Sequence, residues 1–506
     1  MNNIRNQDII KAKLNIIMLS YSFLADELIK NYTPYKFRAI DHLCAAVLAI
    51  LATIAYLATL TPSLATGDMG ELATAAHFLG VAHAPGYPLH TFLGKLFTFL
   101  PINNTAWRLN FYSAFCGGVT IYFAFLVIIK ICFSAGLDKI TAYASSAASA
   151  LTFAFSATFW SQAVFTEVYT LSSIFSPLLF LILLLWQDAV LKHRNDEFPW
   201  FGESYLCAFS FLFGLAITNH QTILGVGPLA VLFIPFILYT YCFRHRELSR
   251  LEILNGVTLL IVMLILFGFG AAVYLVKIAS VNSFLYITDN VKIGIGGVIA
   301  AMLVFYGIYF YFTLVHPSKI NHHNYYFKSY FTAGKMIAFF FLGFFLYSYM
   351  IIRAHGNPPI NWMGISETRD WWIKTAKFFN TVHRKQYASQ GKIPFTLFNY
   401  FHSLQFVIQQ IHIPEFSAGI WAFIGLGLIN LWRKYKLWFG AIVLFLVTYN
   451  ILLTPVLGWS GFSSRTAGFN AVFYYYSFYA LSMLAAFGFA LLIELVKAAV
   501  PQYKKS

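Results

Sequence analysis

Long apolar stretches recur along this chain and constrain its fold more than any other feature. Hydrophobic residues make up 59% of the sequence and charged residues only 10%, whereas soluble globular proteins carry about 25% charged residues. An α-helix crosses a bilayer in roughly 20 apolar residues, so we predict an all-α polytopic membrane protein with about twelve transmembrane helices. The predicted spans are 40–60, 109–131, 140–160, 170–187, 204–219, 222–243, 253–278, 291–316, 335–352, 418–432, 437–455 and 472–497.

The distribution of lysine and arginine predicts the topology. Lys36 and Arg38 precede the first span, so the positive-inside rule places the N-terminus in the cytoplasm. If the spans then alternate, the other cation-rich loops also fall inside. This explains the net charge of +15 without a nucleic-acid partner. The segment 61–108 is therefore predicted to lie on the extracytoplasmic face.

The same alternation predicts how the chain is divided. No internal repeat is evident, which argues against an inverted-repeat transporter. The predicted parts are a cytoplasmic tail at 1–39, a transmembrane catalytic module at 40–352 with a helical first outer loop at 61–108, an extracytoplasmic loop at 353–417, and C-terminal transmembrane helices with a short cytoplasmic tail at 418–506.

The first outer loop holds two carboxylates in otherwise apolar surroundings. Asp68 and Glu71 are three residues apart and share a face if the segment is helical. One interpretation is helix capping, because acidic residues are favourable in a first helical turn. The other is catalysis, because a carboxylate next to a bound hydroxyl can act as a general base. The residues alone do not decide which of the two would take the proton.

Histidines and turn residues follow in the same loop. Pro85, Gly86 and Pro88 interrupt any helix and predict a fixed turn. His83 and His90 are candidates for hydrogen bonding a phosphate or an acceptor, with a purely structural turn as the alternative. No metal site is predicted, because the spacing of seven matches no metal-binding motif.

Further candidate substrate-binding residues lie in the later outer segments. Polar side chains beside apolar spans usually face a cavity or a partner, although turn chemistry or simple solvation is the alternative for each. The arginines suit a phosphate, because a guanidinium group matches phosphate oxygens. These candidates are Glu167, Tyr169, His220, Asn357, Arg384 and Arg465.

Motifs of several common enzyme classes are missing from the sequence. There is no Walker A loop, no dinucleotide-binding GxGxxG, no HExxH and no GxSxG. Soluble nucleotides, metalloprotease chemistry and serine hydrolysis are therefore unsupported. Outward-facing carboxylates with scattered histidine and arginine instead suit transfer of a group from a lipid-phosphate carrier.

Several motifs in the chain resemble one family. They are GDMGE at 67–71, HAPGYPL at 83–89, FWSQAVFTEVY at 159–169, NHQ at 219–221, NPPIN at 357–361 and RKQY at 384–387. Together they resemble the transmembrane protein O-mannosyltransferases of the GT-C glycosyltransferase superfamily. Ala84 stands where members of that family often have proline, a departure that does not touch the implied chemistry.

The resemblance implies a GT-C fold and an inverting transfer. The implied donor substrate is a polyprenyl- or dolichyl-phosphate sugar, and the requirement for a divalent metal stays open. Asp68 is implied as the base, with Glu71 as its neighbour. Substrate contacts are implied for His83, Tyr87, Glu167 and Tyr169.

We therefore expect a membrane glycosyltransferase that moves a mannose-like sugar to a hydroxyl of a protein or glycan on the extracytoplasmic face. The alternatives are a transporter or flippase for a lipid-linked molecule, which would need broken helices and mid-membrane charges, and a non-catalytic scaffold. The compact chain favours a bacterial plasma membrane over an endoplasmic reticulum. The sugar, the length of the carrier, the acceptor, any metal requirement and the oligomeric state stay open.

Overall fold

The computed structural model describes residues 32–192, 202–238, 332, 334–365, 371–382, 384, 396–452, 454 and 464–500. These residues are predominantly helical, and the all-α class is confirmed. The first half contains α1 (Ala39–Ala58), α2 (Met69–Phe78), α3 (Pro88–Phe97), α4 (Thr105–Ser134), α5 (Lys139–Ala154), α6 (Ala157–Ala163), α7 (Tyr169–Lys192), α8 (Glu203–Ile217), a 3₁₀ helix (Gln221–Val226) and α9 (Gly227–Leu238). The second half contains α10 (Gly334–His355), α11 (Trp371–Val382), α12 (Leu397–Val407), α13 (Ala418–Lys434), α14 (Lys436–Val447), α15 (Ser464–Ala471) and α16 (Tyr475–Ala499).

Five of the described helices are long and apolar enough to cross a bilayer. They are α1, α4, α7, α10 and α16 together with the turn before it (Val472–Ala499). A sixth candidate is the pair Phe398–Glu415 and Ala418–Lys434, which is bent by 112°. These helices support an integral membrane protein. The predicted spans 253–278 and 291–316 lie outside the described residues, so the count of twelve stays a prediction.

The helix bundle is built around α4, which packs against α1, α5 and α7, while α16 packs against α5 and α13. Glycines allow α13 and α16 to approach closely. A methyl group at Gly427 would lie 1.8 Å from the carbonyl oxygen of Leu484, and one at Gly488 would lie 2.0 Å from that of Phe423. Such small-residue contacts are typical of helix pairs in membranes, where van der Waals packing replaces the hydrophobic effect between helices.

The segment predicted as the first outer loop contains the helical hairpin of α2 and α3. Arg353 at the end of α10 caps α2: its Nε donates to the carbonyl of Leu79 at 2.6 Å, and its Nη2 donates to that of Phe78 at 2.9 Å. Beyond this cap, Val81 and Asn361 form a parallel β-bridge. The segment that follows α10 is thereby fixed against the chain just before His83.

The second half of the predicted outer loop 353–417 is helical, and its place on the extracytoplasmic side stays a prediction. α12 begins at Leu397, and the helical backbone continues through a π-helical turn (Ile408–His412) to Glu415. Phe398 and Phe401 are exposed on this helix, which suits contact with lipid. Asn399, His402 and Gln405 interrupt the apolar residues of α12, which explains why the sequence pattern predicts a loop here.

Candidate active site

Asp68 and Glu71, at the start of α2, both contact the imidazole of His83. The Oδ2 atom of Asp68 lies 3.6 Å from His83 Nε2, and the Oε1 atom of Glu71 lies 3.1 Å from His83 Nδ1. Asp68 occupies the N-cap position of α2, yet its side chain makes no capping hydrogen bond. The capping interpretation therefore does not account for the Asp68 carboxylate.

The two carboxylates differ in how they are held. Glu71 Oε1 accepts a hydrogen bond from the backbone N–H of His83 at 2.5 Å and also contacts Nδ1 of the His83 ring. The side chain of Glu71 is only 18% exposed. The side chain of Asp68 is 60% exposed. Glu71 is therefore engaged in positioning His83, whereas Asp68 is open to a ligand.

The turn after His83 brings Tyr87 back onto the same imidazole. Gly86 has φ +96°, and a Cβ there would lie 2.4 Å from the Cε atom of Met350, so this position favours glycine. Tyr87 follows with φ 46° as the N-cap residue of α3, and its hydroxyl lies 3.0 Å from His83 Nε2. The bonds fit a His83 that donates from Nδ1 to Glu71 and accepts at Nε2 from Tyr87.

Arg384 and His220 extend this network from distant parts of the chain. Arg384 Nη2 donates to the Tyr87 hydroxyl at 3.1 Å and lies 3.5 Å from His220 Nε2. The rings of His220 and Tyr87 stack at 6.0 Å with an angle of 5°, and Tyr169 lies 5.2 Å from His220. Burial and the charge of Arg384 hold the pKa of His220 well below its usual value, so this imidazole is neutral.

Glu167 supplies a third carboxylate from the loop between α6 and α7. Burial, followed by the negative charges of Asp68 and Glu71, raises the pKa of Glu167 to about 8. Its backbone N–H donates to the hydroxyl of Ser113 on α4 at 3.2 Å. Glu167 is therefore mostly protonated at neutral pH, which limits the negative charge of the cluster.

Replacing Glu167 by glutamine is expected to raise thermal stability at alkaline pH. The folded-state pKa of about 8 lies above the usual 4.5, so the folded protein holds a proton that the unfolded chain releases. Wild-type stability then falls as pH rises from about 4.5 to about 8, and the variant lacks this loss. Melting temperatures in detergent at pH 5 and pH 8.5 measure the difference.

A matched control for this variant is Glu494→Gln, since Glu494 pairs with Lys434 on another part of the bundle. The melting temperature of Glu167→Gln should exceed that of wild type by a few degrees at pH 8.5, and this difference should shrink towards pH 5. An equal gain at both pH values would show that Glu167 does not carry a shifted proton.

The remaining candidates lie in different surroundings. His90 is fully buried on α3, with its ring 5.4 Å from Tyr112 and no hydrogen-bond partner for either nitrogen among the described residues. Asn357 adopts φ 44° in the turn after α10 and accepts from Asn361 at 3.4 Å. Arg465 lies in α15, and its side chain is outside the described part. The structure thus groups neither His90 nor Asn357 with the carboxylates, and their substrate contacts stay predictions.

Three residues outside the predicted set of site residues help to build the site. Asn110, buried in α4, accepts from the backbone N–H of Thr166 at 2.9 Å and donates to the carbonyl of Thr61 at 2.7 Å. Asn110 thereby joins the segment that leads to Asp68 with the segment that leads to Glu167. Arg353 caps α2, and Trp362 lies beside His83 with a ring-centroid distance of 6.5 Å. A lone asparagine in an apolar helix was the available signal for the first of these.

The described residues contain no group of three or more His, Cys, Asp or Glu side chains arranged to hold a metal ion.

Comparison with known proteins points to one family. The family model described as "Protein O-mannosyl-transferase TMEM260 N-terminal domain" matches residues 68–250. The resemblance predicted from the motifs is confirmed. The matched segment begins at Asp68 and contains Glu71, His83 and Glu167, while Arg384 lies beyond it.

Two curated relatives carry the same TMEM260 name. "Protein O-mannosyl-transferase tmem260" of Dictyostelium discoideum is 33% identical over 222 residues, which cover 42% of this chain and 25% of the relative. "Protein O-mannosyl-transferase TMEM260" of Mus musculus is 30% identical over 240 residues, which cover 47% of this chain and 30% of the relative. The alignments thus span about a third or less of these TMEM260 proteins. No solved structure matches the chain.

Proposed function

We propose that this protein is a membrane glycosyltransferase of the O-mannosyltransferase type. It transfers a mannose-like sugar from a polyprenyl- or dolichyl-phosphate carrier to a hydroxyl of a protein or glycan. The observation that carries the proposal is that the exposed Asp68 lies 3.6 Å from the imidazole of His83, while the hydroxyl of Tyr87 bonds both that imidazole and Arg384. A general base and a phosphate-binding cation are the two groups that this reaction needs from the protein. The family match at residues 68–250 supports it independently.

In this reaction Asp68 takes the proton of the acceptor hydroxyl. The acceptor oxygen attacks the anomeric carbon from the side opposite the phosphate, and a new C–O bond forms as the bond to the phosphate oxygen breaks. The electron pair leaves with the lipid phosphate, and the anomeric configuration inverts. We assign this role to Asp68 rather than Glu71 because Asp68 is exposed, whereas Glu71 binds the backbone and ring of His83.

Arg384 stabilises the negative charge that develops on the departing phosphate, since a guanidinium group pairs well with phosphate oxygens. Tyr87 and the neutral His220 hold that guanidinium group in place. The protonated Glu167 lets an anionic donor approach a cluster of three carboxyl groups with less repulsion. The proposed site lies on the extracytoplasmic face of a bacterial plasma membrane or on the lumenal face of an endoplasmic reticulum.

The bent helix pair of α12 and α13 favours a second candidate function. Broken helices are common in transporters, and an axis angle of 112° between Phe398–Glu415 and Ala418–Lys434 fits that pattern. This second candidate is a flippase for a lipid-linked molecule. It would not need an exposed carboxylate beside a histidine, so the carboxylates favour the transferase.

The test is transfer by the purified protein in liposomes that contain radiolabelled polyprenyl-phosphate-mannose. A serine- and threonine-containing peptide serves as the first acceptor, and a soluble glycan serves as the second. Label should pass to an acceptor while polyprenyl phosphate accumulates, and a nucleotide-mannose donor should give no transfer. Movement of the lipid between leaflets without transfer would establish the second candidate, and inertness in both assays would overturn the proposed function.

A further inference from the structure

Trp362 is a large aromatic side chain that lies exposed beside the polar site. It is 55% exposed. Many other exposed apolar side chains lie on the long helices α1 and α10, where lipid can cover them. Trp362 instead belongs to the non-helical segment after α10. Tryptophan is enriched at binding surfaces, because the indole combines a large apolar face with an N–H donor.

The backbone fixes Trp362 next to the catalytic cluster. Its N–H donates to the carbonyl of Val81 at 3.0 Å, and the N–H of Val81 donates to the carbonyl of Ile360 at 2.8 Å. The indole and the His83 imidazole are nearly perpendicular, at 81°. Since His83 also contacts Asp68 at 3.6 Å, the indole and the proposed base are both neighbours of the same imidazole.

We propose that Trp362 stacks against the sugar ring of the lipid-phosphate donor and determines the preference for a sugar-bearing carrier. This inference rests on the proposed function. In the transfer reaction the sugar must lie between the acceptor hydroxyl at Asp68 and the phosphate at Arg384. One face of a hexose ring carries C–H groups of slight positive charge, which the negative face of an indole attracts. Aromatic side chains line most pockets that orient small ligands.

The alternative role for Trp362 is to anchor the protein at the membrane interface, where tryptophan is common. The two roles differ in what they recognise. An anchor contacts lipid whether or not the lipid carries a sugar. A side chain that stacks on the sugar distinguishes polyprenyl-phosphate-mannose from polyprenyl phosphate.

The experiment compares Trp362→Ala and Trp362→Phe with wild type in purified form. Equilibrium binding is measured for polyprenyl-phosphate-mannose and for polyprenyl phosphate, together with the donor and acceptor KM. Trp362→Ala should weaken binding of the mannosylated lipid by about 5- to 100-fold, as for loss of an aromatic stacking contact, and should leave binding of the bare lipid unchanged. Trp362→Phe should retain most of the preference, and the acceptor KM should not move.

Trp432→Ala is the matched control, because Trp432 is 59% exposed on α13 and has no place in the proposed site. Equal binding of the mannosylated lipid by wild type and Trp362→Ala would overturn the inference while leaving the transferase intact. Equal weakening for both lipids would assign Trp362 to membrane anchoring. Failure of wild type itself to transfer sugar would instead overturn the proposed function.

Discussion

Replacing Asp68 by asparagine is expected to lower the rate of sugar transfer by about 10²- to 10⁴-fold, the usual contribution of a general base. Asparagine keeps the shape of the side chain and its position beside His83 Nε2, but it cannot accept a proton. The donor KM should stay close to the wild-type value, because the phosphate contact comes from Arg384. Steady-state kinetics with radiolabelled donor and a saturating acceptor separate kcat from KM.

Two further variants sharpen this result. Glu71→Gln weakens the hydrogen bonds that position His83. It should lower kcat by a smaller factor than Asp68→Asn does, because Glu71 acts through His83. Asp138→Asn alters a carboxylate that caps α5 and pairs with Lys497, so it should leave the transfer rate unchanged. Full activity in Asp68→Asn would remove Asp68 from the mechanism, and a larger loss in Glu71→Gln would transfer the role of base to Glu71.

Replacing Arg384 by glutamine should raise the donor KM by about 30-fold or more. Truncating one partner of a hydrogen-bonded charge pair costs about 2 kcal/mol or more, and about 2 kcal/mol corresponds to that factor. The variant also loses charge stabilisation of the departing phosphate, so kcat should fall as well. Donor titrations at low and high salt measure both effects, and the salt dependence should weaken when the cation is gone.

Arg384→Lys keeps the charge but loses the planar fork, so its donor KM should lie between those of wild type and Arg384→Gln. Arg433→Gln serves as the control, because Arg433 is an exposed cation at the end of α13. An unchanged donor KM in Arg384→Gln would exclude Arg384 from the phosphate site.

The first half of the site could be predicted because its residues are close in sequence. Asp68 and Glu71 share the start of α2, and the turn residues at 83–88 bring His83 and Tyr87 back to them. His90 belongs to the same loop, but the rotation of α3 turns it into the core against Tyr112. The motif alone does not set that rotation, because it depends on how α3 packs against α4.

The second half could not be deduced from local pattern, since it depends on contacts between distant segments. Arg353 and Arg384 are both cations of the predicted outer loop. In the structure Arg353 donates to backbone carbonyls at the end of α2, whereas Arg384 donates to the hydroxyl of Tyr87. Nothing in their immediate sequence separates these roles. Trp362 likewise reaches His83 only because Val81 and Asn361 form a bridge.

The hydrogen bond between Tyr87 and Arg384 joins residues that are 297 positions apart, and this has a consequence for biogenesis. A ribosome that adds 5–20 residues per second needs about 15 to 60 s to cover that interval. The carboxylates of α2 are therefore synthesised well before the arginine that completes the proposed site. A nascent chain halted before residue 384 would carry the carboxylates without the arginine, so the proposed donor site can be completed only after about three quarters of the polypeptide has been made.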